Sequence, residues 1–407
     1  MELHPQLLKG VKAAGFEKPF PIQERAIGPL LSGRSVIGQA KTGSGKTAAF
    51  GLPMLNGIDQ SSWDVQGLVL APTRELAVQI TAELKKLAIF TTVRIVTIYG
   101  GQSINVQFDA LDRGAHIIVG TPGRIMDHLK RGSLDFGKVK SVVLDEADTM
   151  LDMGFIEDVE FILDSVPEPR QMGLFSATMP RRIMDLSNKY MRNPEKILVS
   201  ADEPQSDALE QYYAVVDHAE KEELLLDILN KEKPTSTIIF CRTKYGAHKL
   251  ARELTKRYIN AVPLHGDLSQ HQRDHSMSTF RSGHADVLVA TDVASRGIDI
   301  TQVDCVVNYD VPQDPLLYFH RTGRTARAGG GGKAFTLVTY DDDEDFSRIL
   351  GLTKAVIKPL RPQDSEHNFY VTAKTSITEL QNERYSYGGR RSGGNNRRGG
   401  YGRRSRW

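Results

Sequence analysis

Residues 36–50 read VIGQAKTGSGKTAAF: a short apolar run, then a glycine-rich turn, then a helix-compatible stretch opening at Lys46-Thr47-Ala48. This is the strand, loop and helix order that a phosphate-binding loop requires. Gly43 and Gly45 let backbone N–H groups turn inward around an anion, and the helix start adds partial positive charge. Lys46 can then reach the β- and γ-phosphates, while the Thr47 hydroxyl can ligate Mg2+. Ala40 stands where the pattern usually begins with glycine. A Gly-Lys-Thr turn without flanking strand and helix would be an ordinary surface loop, so the context decides the reading.

Upstream, Leu7 to Ala14 reads as a helix ending at Gly15, and Phe16-Glu17-Lys18-Pro19-Phe20-Pro21-Ile22-Gln23 follows. The Gln23 amide offers a donor and an acceptor that match the N6 and N7 edge of adenine; a solvated residue opening a helix to Leu31 is the plainer alternative. Downstream, apolar segments alternate with helical ones: Leu68–Ala71, Ile95–Tyr99, His116–Gly120, Val142–Leu144, Gly173–Phe175 and Ile197–Val199. Between them Leu76, Ile80, Leu84 and Leu87 recur at helical spacing. The alternation predicts a mostly parallel sheet flanked by helices, with ligands at the carboxyl ends of its strands.

Those ends carry the unusual residues. Pro72-Thr73-Arg74-Glu75, Gly100-Gly101 and Thr121-Pro122-Gly123-Arg124 each place backbone amides near a helix start, twice with an arginine, which suits a nucleic-acid backbone. Any one of them would pass for a helix cap or a tight turn. Asp145-Glu146-Ala147-Asp148 follows Ser141–Leu144. A carboxylate there can hold Mg2+ through water and its neighbour can polarise the attacking water, although acids opening a helix also favour its dipole.

Ser200–Ser206 is polar and proline-bearing, a linker, and beyond it the alternation restarts without a second Gly-Lys-Thr: Thr237–Phe240, Ala261–Leu264, Asp286–Ala290, Cys305–Tyr309 and Ala334–Thr339. A second sheet of the same type is expected, unable to hold a nucleotide by itself. Its strand-end residues include Arg242, His265, Gln270, Arg273, Thr291, Asp299 and the run His320–Arg327. Arg321, Arg324 and Arg327 become candidate arginine fingers for the other domain's nucleotide.

Composition sets the remaining bounds. The 407 residues are 40% hydrophobic and 25% charged, room for two or three domains of ordinary soluble type. No apolar run approaches a membrane span and the start is not that of a signal peptide, so a cytoplasmic protein is expected. Cys241 and Cys305 lack metal-ligand spacing and are expected to be reduced and packed beside strands. Residues 384–407 hold eight arginines and no acid, so the net charge of +2 leaves −6 for residues 1–383. Nucleic-acid binding by the body must therefore rely on placed groups, with the tail a separate cationic attachment.

Taken together the chain resembles the DEAD-box RNA helicases over about residues 1–360. FEKPFPIQ, AKTGSGKT, PTREL, TPGR, DEAD, Ser176-Ala177-Thr178, IIFCRTK, ATDVASRGIDI and HRTGRTAR match that family's motifs in order. The resemblance implies two tandem RecA-like domains, at 1–200 and 209–361, joined by a linker at 201–208 and followed by a C-terminal extension at 362–407. It implies an RNA-stimulated ATPase that unwinds RNA duplexes locally or remodels RNA–protein complexes. An ATP-gated RNA clamp whose hydrolysis times release is the alternative, and a DNA helicase a weaker one.

ATP and Mg2+ are the implied cofactors. The family pattern assigns Gln23 to adenine, with Phe16 also at the nucleotide, and Thr42, Gly43, Ser44, Gly45, Lys46 and Thr47 to phosphates. Thr47 and Asp145 fall to Mg2+, Glu146 to water activation, Asp299 to the ribose, and Arg324 and Arg327 to the γ-phosphate. Asp148, Ser176, Thr178 and His320 would couple hydrolysis to closure. Thr73, Arg74, Gly101, Gly123, Arg124, Gln270, Arg273 and Thr291 would line the RNA path. The implied partner is RNA, single-stranded or short duplex and read without sequence preference, with RNA-processing, ribosome-assembly or decay proteins as further partner classes and a monomer as the expected state.

Three departures from the family pattern stand out. An aromatic residue that usually stacks on adenine would lie upstream of Met1, an expectation of weaker base stacking or of an earlier natural start. Phe20 replaces the usual Ser or Thr, and Thr322 and Ala326 replace Ile and Gly. The Arg/Gly-rich end, YSYGGRRSGGNNRRGGYGRRSRW, lacks the apolar residues for a core and is expected to be disordered and to stack on RNA bases.

Overall fold

Successive residues along the central strands enter different cores, which is why these segments read as apolar runs rather than as alternating ones. In the computed structural model, residues 3–40, 43–199, 209–295, 303–326, 331–353 and 356–360 are described. The first sheet comprises β1 Val36–Gln39, β2 Gly67–Leu70, β3 Ile95–Ile98, β4 Ile117–Gly120, β5 Ser141–Leu144, β6 Gln171–Ser176 and β7 Glu195–Leu198. The second comprises β8 Leu209–Val215, β9 Thr237–Phe240, β10 Ala261–Leu264, β11 Val287–Ala290, β12 Cys305–Asn308, β13 Gly332–Val338 and β14 Ile357–Pro359.

Strand order is β3-β4-β2-β5-β6-β1-β7 in the first sheet and β10-β11-β9-β12-β13-β8-β14 in the second. Renumbered from its own first strand, the second order repeats the first, so the chain is a tandem duplication of one topology. Every pairing is parallel. All strand ends of one polarity therefore share one rim in each sheet, and the segments that follow β1, β2, β4 and β5, where the sequence places candidate residues, fall on it.

Helices cover both faces. On one side of the first sheet Val69, Ile117, Val119 and Phe175 pack with Ile80, Leu84 and Phe50; on the other Leu68, Ile118 and Leu174 pack with Phe136 and Ile162. The second sheet divides likewise, Ile239, Val287 and Val289 facing one core and Ile238, Phe240 and Leu288 the other. Leu76, Ile80, Leu84 and Leu87 are all buried on the helix Arg74–Leu87, as their spacing predicts. Cys241 and Cys305 are free and buried, their thiol pKa values pushed up by burial, Cys305 to about 12.

Two strands escape sequence reading. β8, LEQYYAV, buries only Gln211 and Ala214 fully, and the Gln211 amide oxygen accepts from the Tyr318 hydroxyl at 2.8 Å. β14 is a three-residue edge strand with one buried residue. Neither has an apolar run, yet β8 sits between β13 and β14 and carries the longest register in its sheet. The linker at 201–208 and the extension from 362 lie outside the described residues. No helix among the described residues is long and apolar enough to cross a membrane.

Candidate nucleotide and RNA site

The turn after β1 is built on backbone that ordinary side chains avoid. Gly43 and Gly45 both have φ of +83°, and Gly45 caps the helix Lys46–Asn56. A Cβ at Gly45 would come within 2.4 Å of Gln23 Nε2 and 2.9 Å of the Phe20 ring, so glycine is needed on two counts. Gln23 is buried rather than solvated: its Oε1 accepts from the Phe20 N–H at 3.0 Å and its Nε2 donates to the Gly45 carbonyl at 3.0 Å. The amide ties the helix Pro21–Leu31 to the loop with one of its two N–H groups and one lone pair of its oxygen. Lys46 is buried with Nζ donating to the Ala40 carbonyl at 3.0 Å across the loop. Ser44 and Thr47 are half-buried, and Phe16 packs against the neighbouring core. Thr42 lies outside the described residues.

The acidic run sits at the end of β5. Asp145 is 2% exposed and its Oδ1 accepts from the Glu146 N–H at 3.0 Å. Burial pushes its pKa up to about 6; nearby Lys46 opposes this, and Glu146 and Asp148 add to it. Glu146 has φ 51° and ψ 52°, a left-handed conformation costing a non-glycine residue roughly 1–2 kcal/mol. Such strain persists where surrounding contacts hold it, and the helix that follows Glu146 is pinned to the end of β6 and the turn beyond it. The Asp148 N–H donates to Ser176 Oγ at 3.1 Å, while Asp148 Oδ2 accepts from the Thr178 N–H and hydroxyl at 2.8 and 3.0 Å. Asp148, Ser176 and Thr178 thus form one cluster across two adjacent strand ends.

A cleft opens beside this cluster, with Glu146, Asp148, Thr149 and Ala177 on the first sheet's side. The second sheet supplies Phe240, Asp292, Leu317, His320, Arg321 and Arg324. The structure brings His320 and Arg324 to the acidic run, but it corrects the reading of Arg321 as a finger. Arg321 is 3% exposed and forks onto Asp292, Nε to Oδ1 at 2.6 Å and Nη2 to Oδ2 at 2.8 Å. Its Nη1 donates to Asn308 Oδ1 and to the Asp310 carbonyl. Spent on its own domain, Arg321 is a brace for the helix Pro315–Thr322. Asp299 and Arg327 lie outside the described residues.

Most of the sequence-derived RNA path converges on one edge of that boundary. Thr73 caps the helix Arg74–Leu87, its Oγ1 accepting from the Leu76 N–H. Arg74 lies over the Tyr99 ring at 4.6 Å and pairs with Asp274 at 3.1 Å; Arg273 pairs with Glu75 at 3.2 Å. These crossed ion pairs join the start of one domain's helix to the start of the other's, Gln270–Arg281. Gln270 donates to Asp274 Oδ1 at 3.0 Å, and its Oε1 lies 3.7 Å from where a Gly101 Cβ would be. Gly123 and Arg124 open the helix Pro122–Lys130, with Arg124 donating to the Gln102 carbonyl at 3.0 Å. Thr291 is buried just past the end of β11. Glu75 and Asp274 went unread in the sequence, although Arg74-Glu75 and Arg273-Asp274 are matching base–acid dipeptides. Gln107 and His128, also unread, lie buried beneath this edge.

Comparison with known proteins agrees with this arrangement. Residues 20–186 match the DEAD/DEAH box helicase family and residues 220–329 the helicase conserved C-terminal domain. DEAD-box ATP-dependent RNA helicase CshA of Bacillus anthracis is 45% identical over 389 residues, 95% of this chain and 74% of the relative. ATP-dependent RNA helicase CshA of Limosilactobacillus reuteri is 43% identical over 378 residues, 93% of this chain and 76% of the relative. Among solved structures, S. cerevisiae Dbp5 bound to RNA and ADP BeF3 is similar with a TM-score of 0.79 at 35% identity, over 88% of this chain and 94% of that one. A DEAD box protein from the hyperthermophile Methanococcus jannaschii is 40% identical over 89% of this chain and 98% of that one, with a TM-score of 0.52. The chain belongs to the DEAD-box ATP-dependent RNA helicases, and its two sheets are tandem RecA-like domains.

The raised Asp145 pKa makes a stability prediction. Below about pH 4 the folded and unfolded states both hold the proton; between pH 4 and 6 only the folded state does, so stability falls as pH rises until the penalty is complete. Asp145→Asn removes that titration and should stabilise the nucleotide-free protein by about 3 kcal/mol above pH 7 and by nothing below pH 4. Urea melts of both proteins from pH 4 to pH 8 measure the difference, and a difference that stays constant with pH would count against the burial penalty.

Proposed function

We propose that ATP and single-stranded RNA draw the two domains of this helicase together, and that the closed pair opens RNA duplexes locally, without processive tracking. One observation carries the reading: the cleft beside Glu146 and Asp148 takes its other wall, with His320 and Arg324, from the second domain. A nucleotide bound to the first domain's loop therefore meets its full set of partners only in the closed arrangement. Similarity to Dbp5 bound to RNA and ADP BeF3 supports taking this arrangement as the closed one.

In this reading Gly43, Ser44, Gly45 and Lys46 cradle the phosphates, with Lys46 exchanging the Ala40 carbonyl for a phosphate oxygen. Glu146, aimed by its left-handed backbone, accepts a proton from the attacking water. Arg324 offsets charge that develops on the γ-phosphate, and the Asp148–Ser176–Thr178 cluster reports the state of β5 and β6 to His320 across the cleft. The donor set near Lys46 fits a magnesium ion carried in by the nucleotide: a hydroxyl on Thr47 and a buried carboxylate with acidic neighbours. Among the described residues no group of three or more His, Cys, Asp or Glu could hold a metal ion unaided, so phosphate oxygens and water must complete it. When bound, the ion supplies neutralisation of phosphate charge. The same reading takes the protein as a cytoplasmic monomer whose second ligand is RNA, with RNA-processing, ribosome-assembly or decay proteins as partner classes.

Two measurements test it. Glu146→Gln should bind ATP and RNA normally and lose turnover by about 100-fold or more, because the amide keeps the shape but takes no proton; turnover within a few-fold of the natural protein would refute the assignment. Closure can disrupt only as many base pairs as its differential affinity covers. With roughly 5–7 kcal/mol from closure and about 1.4 kcal/mol per stacked step, that is some four or five pairs. Single-turnover strand displacement should slow steeply as an RNA duplex grows from about ten to about twenty pairs, without dependence on overhang polarity. Length-independent displacement, or a strict polarity requirement, would identify a translocating helicase, and loss of RNA-stimulated displacement with ATPase retained would identify a clamp.

A further inference from the structure

The helix Ile104–Asp112 buries one residue fully, and that residue is polar: Gln107, 2% exposed. A buried amide is retained only when its hydrogen bonds are met, and here they reach into two separate turns. Gln107 Nε2 donates to the Tyr99 carbonyl at 2.8 Å and lies 3.3 Å from Gln102 Oε1, holding both flanks of Gly100-Gly101. With Nε2 committed to a carbonyl, Oε1 is the acceptor for His128 Nε2 at 3.0 Å and for Arg124 Nη1 at 3.3 Å. Arg124 Nη1 also donates to the Gln102 carbonyl at 3.0 Å, closing the ring.

His128 is fully buried beneath this ring, edge-on to Phe108, with Ser133 Oγ 2.9 Å from its Nδ1. Burial, and then the nearby Arg124 charge, hold its pKa below the ordinary histidine value. With Gln107 Oε1 the acceptor, His128 gives a proton to it from Nε2, and the Ser133 hydroxyl beside Nδ1 donates to the His128 carbonyl at 3.1 Å, pinning the ring to its own turn.

We propose that Gln107 is a positioning residue for RNA: one buried amide fixes the Gly100–Gln102 turn and the Arg124 guanidinium relative to each other, so that two phosphate-facing turns act as one rigid surface. The proposal rests on the reading that Gly101 and Arg124 face RNA. Preorganisation of this kind strengthens binding by removing the ordering cost, and it leaves the chemistry of the nucleotide cleft to other residues. No apolar residue of similar size can replace the amide. It would orphan the Tyr99 carbonyl and the His128 N–H together, and it would release Arg124 from one of its two acceptors.

The test uses the full chain, a single-stranded RNA oligonucleotide of mixed sequence, and steady-state ATPase. Gln107→Leu should raise the RNA concentration for half-maximal stimulation about tenfold, with the rate at saturating RNA recovered to within about twofold. Gln107→Glu, which keeps the acceptor for Arg124 and His128 and loses only the donor to Tyr99, should fall between. Because Gln107 acts partly through Arg124, the double variant Gln107→Leu/Arg124→Ala should be weaker than Arg124→Ala by clearly less than tenfold. Independent, fully multiplicative losses overturn the positioning role. So does an unchanged half-saturation in Gln107→Leu, or a saturating rate that falls together with the melting temperature, which would make Gln107 a core residue only. Arg124→Ala separates the underlying reading from the proposal: if it leaves half-saturation unchanged, the RNA path is misassigned, whereas if it weakens binding and Gln107→Leu does not, only the proposal fails.

Discussion

A parallel sheet gathers its ligand-facing residues at one rim, and in this protein two such rims share a single boundary. That constraint governs everything else in the structure. The two sheets have the same strand order, yet only the first carries the Gly-Ser-Gly-Lys-Thr turn, so the second can contribute to a nucleotide only from outside. Its contribution is a helix, Pro315–Thr322, braced by Arg321 on Asp292 so that His320 and the following Arg324 line the cleft. On the proposed reading, a site divided between two domains makes their relative position the variable that ligands control.

The boundary is electrostatic where RNA is expected and mixed where the nucleotide is. Arg74–Asp274 and Glu75–Arg273 cross from one helix start to the other, and both arginine side chains are only about one-fifth exposed. Fully exposed pairs of this kind contribute about 0–1 kcal/mol, but partial burial limits screening, and reciprocal pairing fixes direction as well as distance. The acids hold in place the same arginines that an RNA backbone would attract. On the proposed RNA path, phosphate binding at this edge would meet arginines already engaged across the boundary. Asp145 carries the opposite economy, since its burial destabilises the ligand-free fold and a cation or neighbouring positive charge relieves it.

Much of this was legible in the amino-acid order, because strands buried on both faces are apolar runs and phosphate loops need glycine at fixed places. The recurrence Leu76, Ile80, Leu84 and Leu87 marked a buried helix face, and Gly43 and Gly45 marked positive φ. β8 was illegible because its place between β13 and the edge strand β14 is held by tyrosines, an alanine and a glutamine that bonds to Tyr318, more than one hundred residues away. Arg321 and Arg324 look equivalent in sequence, being three apart on a basic run, and both line the cleft; the bonds to Asp292, Asn308 and Asp310 are what mark Arg321 as the brace. Gln107 carries no signal in the sequence, since its four partners lie between five and twenty-one positions away.

Domain closure is the central claim, and energy transfer between dyes on the two domains measures it most directly. Cysteines introduced at the exposed positions Lys138→Cys and Lys249→Cys can carry the dyes, since Cys241 and Cys305 are buried. A non-hydrolysable ATP analogue with single-stranded RNA should raise transfer; Arg273→Glu, which sets two acids against each other, should prevent the rise, and Glu75→Arg/Arg273→Glu should restore it. Transfer that ignores the ligands, or a charge swap that restores nothing, would contradict an account in which the two rims form one site.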